Sequence, residues 1–195
     1  MENENTKQKE PVSITKEAFE WLEVVVSAML AVVIIFTFVF RVATIVGDSM
    51  KDTFYENEKI IITDWFYEPK VGDVVVVSRN VSNDYHTDES EGPIIKRIIA
   101  TEGQTVDIDF NKGIVYVDGV ALDEPYTRTP TNLHYDIQFP VRVPDNHVFC
   151  LGDNRNESLD SRSSRIGNNG MIDERYILGK AVFRVFPFDR FGGVY

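Results

Sequence analysis

Ile94-Ile95-Lys96-Arg97-Ile98-Ile99-Ala100 is apolar at five of its seven positions and isoleucine at four. A short, β-branched run of this kind reads as a strand. In a strand, Ile94, Lys96 and Ile98 share one face, while Ile95, Arg97 and Ile99 share the other. Working outward, residues 59–63, 74–77, 114–117, 148–151 and 181–186 are runs of the same kind. Asp118-Gly119 falls between Val117 and Val120 and predicts a hairpin with a two-residue turn. Gly72-Asp73 before Val74 reads as a further turn. No long amphipathic helix is evident after residue 42. The fold class is therefore mostly β.

The N-terminal part is different. Residues 24–40 carry no charge, and only Ser27 and Thr37 are mildly polar. As a helix this stretch covers roughly 25 Å, and adding Trp21, Leu22 and Val42 brings it close to the roughly 30 Å of a hydrocarbon core. Glu23 and Arg41 then mark the two interfaces. The glutamate-rich region before the span is long for a signal peptide, and no clean small-x-small site precedes Arg41. The span is apolar on every face, which argues against a soluble amphipathic helix. The division is a tail at 1–20, a transmembrane signal anchor at 21–42 and a β-rich domain at 43–195. Lys7, Lys9 and Lys16 precede the span, and Arg41, Lys51 and Lys59 follow it, so charge bias barely sets an orientation.

The 195 residues carry a formal charge of −11, with 17 Lys and Arg against 25 Asp and Glu from Arg41 onward. Such a domain is a poor match for a phosphate backbone, so nucleic acid is not an expected partner. Cys150 stands alone and forms no intramolecular disulfide; within Val148-Phe149-Cys150-Leu151 it reads as a small buried apolar residue. His86, His134 and His147 are scattered, and no Cys, His and carboxylate cluster has metal-ligand spacing. Neither a metal nor a cofactor is expected. Residues 80–92 read as a polar, acidic, solvated loop. Asn80-Val81-Ser82 and Asn156-Glu157-Ser158 fit the glycosylation sequon, a pattern common by chance. Asp107 and Asp109 read as one solvated strand face.

Two residues carry a chemical hypothesis. Ser49, in Gly47-Asp48-Ser49-Met50, is by itself a turn residue. It follows Phe40 by nine positions, so it lies within roughly 30 Å of chain from the end of the span. Lys96 by itself is an edge-strand lysine that blocks strand addition. Yet Ile94 and Ile98 on its face would strip its water, which lowers an amine's pKa. A neutral amine can take a proton from a serine hydroxyl, and Ser-Lys pairs are one form of the hydroxyl-nucleophile design.

The order of blocks resembles that of the type I signal peptidases, membrane-bound serine proteases that remove signal peptides from exported proteins. Ser49-Met50-Lys51-Asp52-Thr53-Phe54 resembles their nucleophile block, Ser-Met-x-Pro-Thr-Leu. Residues 57–67 with Val71-Gly72-Asp73-Val74-Val75 resemble the second block and its strand. Ile95-Lys96-Arg97-Ile98-Ile99 with Glu102-Gly103-Gln104-Thr105-Val106 resembles the lysine block. Val117-Asp118-Gly119 with Glu124-Pro125-Tyr126 resembles the hairpin. Residues 149–162 resemble Gly-Asp-Asn-Arg-x-x-Ser-x-Asp-Ser-Arg, the longest and most specific of the blocks.

The resemblance implies a β-sheet-rich catalytic domain behind one N-terminal transmembrane helix. It implies Ser49 as nucleophile and Lys96 as general base. Ser158 then orients the lysine by a hydrogen bond, Asp160 and Arg162 form a supporting ion pair, and Asp153 is a further acid beneath the site. The implied substrates are membrane-anchored preproteins, cut after small residues at the first and third positions before the bond. The implied setting is the lipid bilayer and the export machinery, with the N-terminus cytoplasmic and the catalytic domain outside. Asp52 stands in place of proline, Phe54 in place of leucine and Asn156-Glu157 in place of Asp-Asn. Gly47 stands where some members carry a serine that donates to the oxyanion, which leaves the Ser49 N–H as one donor and the second open. The rivals are a self-cleaving repressor, which needs a DNA-binding domain where this chain has its span, a membrane-tethered binding domain without catalysis, and a signal peptidase variant with histidine as base.

Overall fold

Lys96 lies on an interior strand of a sheet. The computed structural model describes residues 14–78 and 92–194. Residues 1–13 of the expected tail, His86 and nearly all of the loop expected at 80–92, with its sequon, lie outside them. The chain divides into two units, Met1–Val39 and Phe40–Tyr195.

The first unit is a single helix, α1, Ile14–Phe38. Its stretch Thr15–Thr37 is long and apolar enough to cross a membrane. Side chains such as Val24, Met29 and Val33 are exposed on all its faces, as suits a helix with lipid for solvent. The helix starts earlier than residue 21 because Thr15 to Glu20 contain no Pro or Gly to stop it. It ends before Val42, which belongs instead to the first strand of the second unit.

Among its described residues, that unit contains twelve strands in two antiparallel sheets. The first sheet holds β1 (Arg41–Thr44), β2 (Lys59–Thr63), β3 (Val74–Val77), β4 (Ile94–Ala100), β9 (His147–Leu151), β10 (Ile172–Asp173), β11 (Ile177–Phe186) and β12 (Gly192–Gly193). Their order is β1-β2-β11-β3-β4-β9-β10, with β12 also on β11. The second sheet is β7-β6-β5-β8, made from β5 (Thr105–Asp109), β6 (Ile114–Val117), β7 (Val120–Ala121) and β8 (Val141–Arg142). Among the described residues after 44, helix is confined to three short 3-10 turns at Arg155–Glu157, Glu174–Tyr176 and Phe188–Arg190.

The alternation expected along β4 is visible in its packing. Ile94 and Ile98 pack with Val75, Val77 and Cys150, Ile95 with Val74 and Val76, and Ile99 with Val106, Phe149 and Leu151. Lys96 pairs with Val75, and Arg97 with Val74 on one side and Leu151 on the other. β9 flanks β4 only from Arg97 onward, and Lys96 is paired on the β3 side alone; it is nevertheless only 3% exposed, so the reading of Lys96 as a solvent-facing edge guard is set aside. The Asp118-Gly119 turn forms as expected, with φ of 51° and 79° at its two residues and Val117 paired to Val120. Two successive positive φ values match the right-handed twist of the flanking strands.

Candidate active site

Ser49 sits in the turn that leaves β1. Two apolar side chains pin that turn: Met50 and Phe54 are both buried in a cluster with Ile45, Ile60 and Ile95. Met50 thus packs into the domain core. The Phe54 N–H closes the turn on the Met50 carbonyl at 2.8 Å. Lys96 reaches the turn from β4. Its Nζ lies 2.8 Å from Ser49 Oγ and 3.0 Å from the Ile95 carbonyl, and the residue is only 3% exposed. Two polar groups 47 positions apart are thus brought within hydrogen-bond reach, the first geometric demand on a nucleophile and its base.

The segment after β9, which begins at Gly152, closes the site from below. Asp153 is fully buried and receives Arg97 through Nε at 2.9 Å and Nη2 at 2.8 Å. Thr53, four residues after Ser49, donates its hydroxyl to the same carboxylate at 2.5 Å. Arg97 also donates to the Gly72 carbonyl and stacks over the Tyr126 ring. Asp160 and Arg162 form a second bidentate pair, Nε to Oδ1 at 2.8 Å and Nη2 to Oδ2 at 2.9 Å, with both side chains 0% exposed. Asp160 also accepts from the Gly152 N–H, and Arg162 donates to the Arg155 and Ser158 carbonyls. This pair therefore fixes the backbone that runs past the serine. A buried bidentate pair of this kind sets geometry, and its loss leaves an uncompensated charge.

Gly152 is required by close approach. A Cβ there would stand 2.2 Å from Ser158 Oγ and 2.5 Å from the Ser49 carbonyl oxygen. Ser158 is thus beside the nucleophile segment, but its buried Oγ has no hydrogen-bond partner among the described residues. The hydrogen bond to Lys96 implied by the resemblance is not formed in this structure. Asn154 contacts the backbone around Ser49: its N–H donates to the Ser49 carbonyl at 3.0 Å, and its side-chain Nδ2 to the Asp48 carbonyl at 3.1 Å.

Arg97, Thr53 and Asn154 are the site residues that sequence reasoning missed. Arg97 had a signal, an arginine on an otherwise apolar strand face. Asn154 lay inside the quoted signature without a role. Thr53 showed nothing beyond its place in the serine block. Arg155 is also buried and ion-paired to Glu124 at 2.5 Å, which ties the signature segment to residues after β7.

Other candidates lie elsewhere. His134 packs edge-on against Phe110, with ring centroids 4.7 Å apart. His147 Nδ1 sits 2.7 Å from the Asp145 carbonyl. Cys150 is wholly buried, and desolvation pushes its thiol well above the ordinary range, which makes it a poor nucleophile.

An apolar cavity of about 300 Å³ is lined among others by Val42, Ala43, Val46, Val76, Leu178 and Ile95, the chain neighbour of Lys96. Among the described residues β1 is the terminal strand of its sheet and offers one unpaired edge. Its burial pattern leaves Val42 and Thr44 exposed. An extended peptide could pair there, with alternate side chains turned toward the cavity.

The chain matches the family model described as signal peptidase, peptidase S26, over residues 18–186. It is 36% identical over 170 residues to a probable signal peptidase I-1 of Synechocystis sp., covering 86% of this chain and 81% of that one. It is 31% identical over 193 residues to signal peptidase I S of Bacillus subtilis, covering 93% and 96%. With signal peptidase IB of Staphylococcus aureus it shares 30% identity over 200 residues, covering 90% and 93%.

Proposed function

The chain belongs to the signal peptidase family, peptidase S26, and on that premise we propose that Ser49 and Lys96 carry its chemistry. It is a serine endopeptidase that removes signal peptides from exported preproteins, with an N-terminal apolar helix that suits a membrane anchor. The observation that carries the assignment is the 2.8 Å approach of Lys96 Nζ to Ser49 Oγ in a buried setting.

Neutral Lys96 takes the proton of Ser49 as Oγ attacks the carbonyl carbon of the scissile bond. Burial beside Ile94 and Ile98 favours that neutral form over the ammonium. The Ser49 N–H stabilises the oxyanion of the tetrahedral intermediate. The proton on Lys96 passes to the leaving amine, and the signal peptide remains as an ester on Oγ. Water, deprotonated by the same lysine, then releases it. The signal peptide docks as an extended strand along β1, with alternate side chains turned toward the apolar cavity beside Ile95, and shallow pockets select small residues at the first and third positions before the cut. Asp153 with Arg97, and Asp160 with Arg162, hold this geometry without exchanging protons with the substrate. Ser158 orients Lys96 once its hydroxyl turns toward the amine. The N-terminus is cytoplasmic and the β-rich domain lies outside, where the export machinery delivers preproteins.

The test is cleavage of a purified preprotein by the detergent-solubilised full-length chain. Cleavage after a small-x-small site, lost in both Ser49→Ala and Lys96→Ala with the fold intact, is expected. Full activity in Lys96→Ala would sink the pair.

A further inference from the structure

Asn154 grips the peptide groups on both sides of Ser49. Its backbone N–H holds the Ser49 carbonyl at 3.0 Å, and its side-chain Nδ2 holds the Asp48 carbonyl at 3.1 Å. The same Nδ2 donates to Glu157 Oε2 at 3.1 Å. Both groups facing this nitrogen are acceptors, a carbonyl and a carboxylate, so the network itself fixes which end of the amide is nitrogen. Asn154 is 3% exposed and has no freedom to turn away. The Arg155–Glu157 turn sets the spacing, with the Glu157 N–H closing on the Asn154 carbonyl at 3.0 Å.

The Asp48 carbonyl and the Ser49 N–H belong to one planar peptide group. The cis bonds of the described chain lie elsewhere, so this group is trans, and its C=O and N–H point in opposite directions. Holding the carbonyl toward Asn154 therefore aims the Ser49 N–H the other way. That N–H makes no hydrogen bond to a described residue.

We infer that Asn154, braced by Glu157, is a positioning residue that aims the Ser49 N–H at the developing oxyanion. The inference rests on the Ser49–Lys96 reading given above and adds to it the device that keeps the donor aimed. A donor that is fixed before reaction needs no reorganisation when charge develops, and that is where its catalytic effect comes from. Glu157 occupies a position where this chain departs from its resemblance, so the brace is a property of this sequence. Asn154 touches neither substrate nor the reacting atoms.

The experiment is steady-state cleavage of a preprotein by the full-length chain in detergent. Asn154→Asp, Glu157→Ala and Glu157→Gln are compared with Ser49→Ala. Each variant is also titrated with a peptide aldehyde, whose adduct with Ser49 places an oxygen at the oxyanion position. In Asn154→Asp a carboxylate oxygen would face two acceptors, so kcat should fall about ten- to a hundredfold while KM stays within about twofold. Aldehyde affinity should fall in step with kcat, and a merely structural role would not produce that link. Glu157→Ala should lower kcat by about threefold or more, and Glu157→Gln, whose amide oxygen still accepts, should lose less. Unchanged kcat in a folded Asn154→Asp, or a loss confined to KM, overturns the inference. If Asn154→Asp does not fold, the exposed Glu157 decides, and unchanged kcat in Glu157→Ala overturns it equally. Activity in Ser49→Ala would overturn the underlying assignment instead, so the two failures are told apart.

Discussion

Asp160 and Arg162 show what a buried charge can do two residues from its partner. Both are 0% exposed, and Arg162 spends its remaining donors on the Leu133, Arg155 and Ser158 carbonyls. Removing the carboxylate leaves a guanidinium in the interior, so Asp160→Ala should destabilise the domain by about 3–5 kcal/mol. A thermal melt of the full-length chain in detergent reads this directly, and an unchanged melting temperature would contradict it. Lys96 gives a second test at this scale. In the proposed mechanism its neutral form is the working one, so kcat/KM should rise with pH as the amine loses its proton, and Lys96→Arg, which stays charged, should be inactive at every pH. Cys150 gives a third. Burial holds its thiol protonated, so a thiol-alkylating reagent should label the chain only after unfolding. The residue types at these positions were legible from sequence. The partners of Lys96 and Asp153, 47 and 56 positions away, were not, because separation along the chain says nothing about proximity.

At the scale of elements, β4 is decisive. Its apolar run announced a strand, but a run of seven residues does not tell whether the strand is central or at an edge. It lies between β3 and β9 in the sheet, although β9 pairs it only from Arg97 onward, and it is the burial of Lys96 against the Ser49 turn that turns it from an aggregation guard into a buried amine. The strand that begins at Arg41 was harder to see. Val42 continues the hydropathy of the helix before it, and only its pairing with Ile61 assigns it to the sheet. Short strands such as β7, β8, β10 and β12 have two residues each, too few for any period to register. β9 carries the packing that supports the segment 152–162 beside Ser49. Phe149 is fully buried and meets Phe139 edge-on at 6.0 Å. Phe149→Ala should cost about 3–5 kcal/mol, measured as the shift in a denaturant midpoint, and a shift worth less than about 1 kcal/mol would show that the site collapses to fill the space.

At the scale of the whole molecule, the three buried clusters all lie between Ile45 and Ala181. A chain that starts at Phe40 should therefore retain its fold, with near-UV circular dichroism like that of the full chain's β-rich domain. It should process preproteins in vesicles more slowly than the anchored chain, because a tether raises the effective concentration of enzyme at the surface. Equal rates would show that the helix does not serve as a tether.

Composition and pattern by themselves determined a mostly β domain behind one apolar helix, because periodicity and length are local properties of a chain. The spacing of the serine, lysine and Gly-Asp-Asn-Arg blocks determined the family. Tertiary structure alone decided that Asp153 answers Arg97 and Thr53, that Asn154 holds the peptides around Ser49, and that Ser158 Oγ stands beside Gly152 without a partner. Hydrogen bonds act over about 3 Å, and only folding sets which groups come that close.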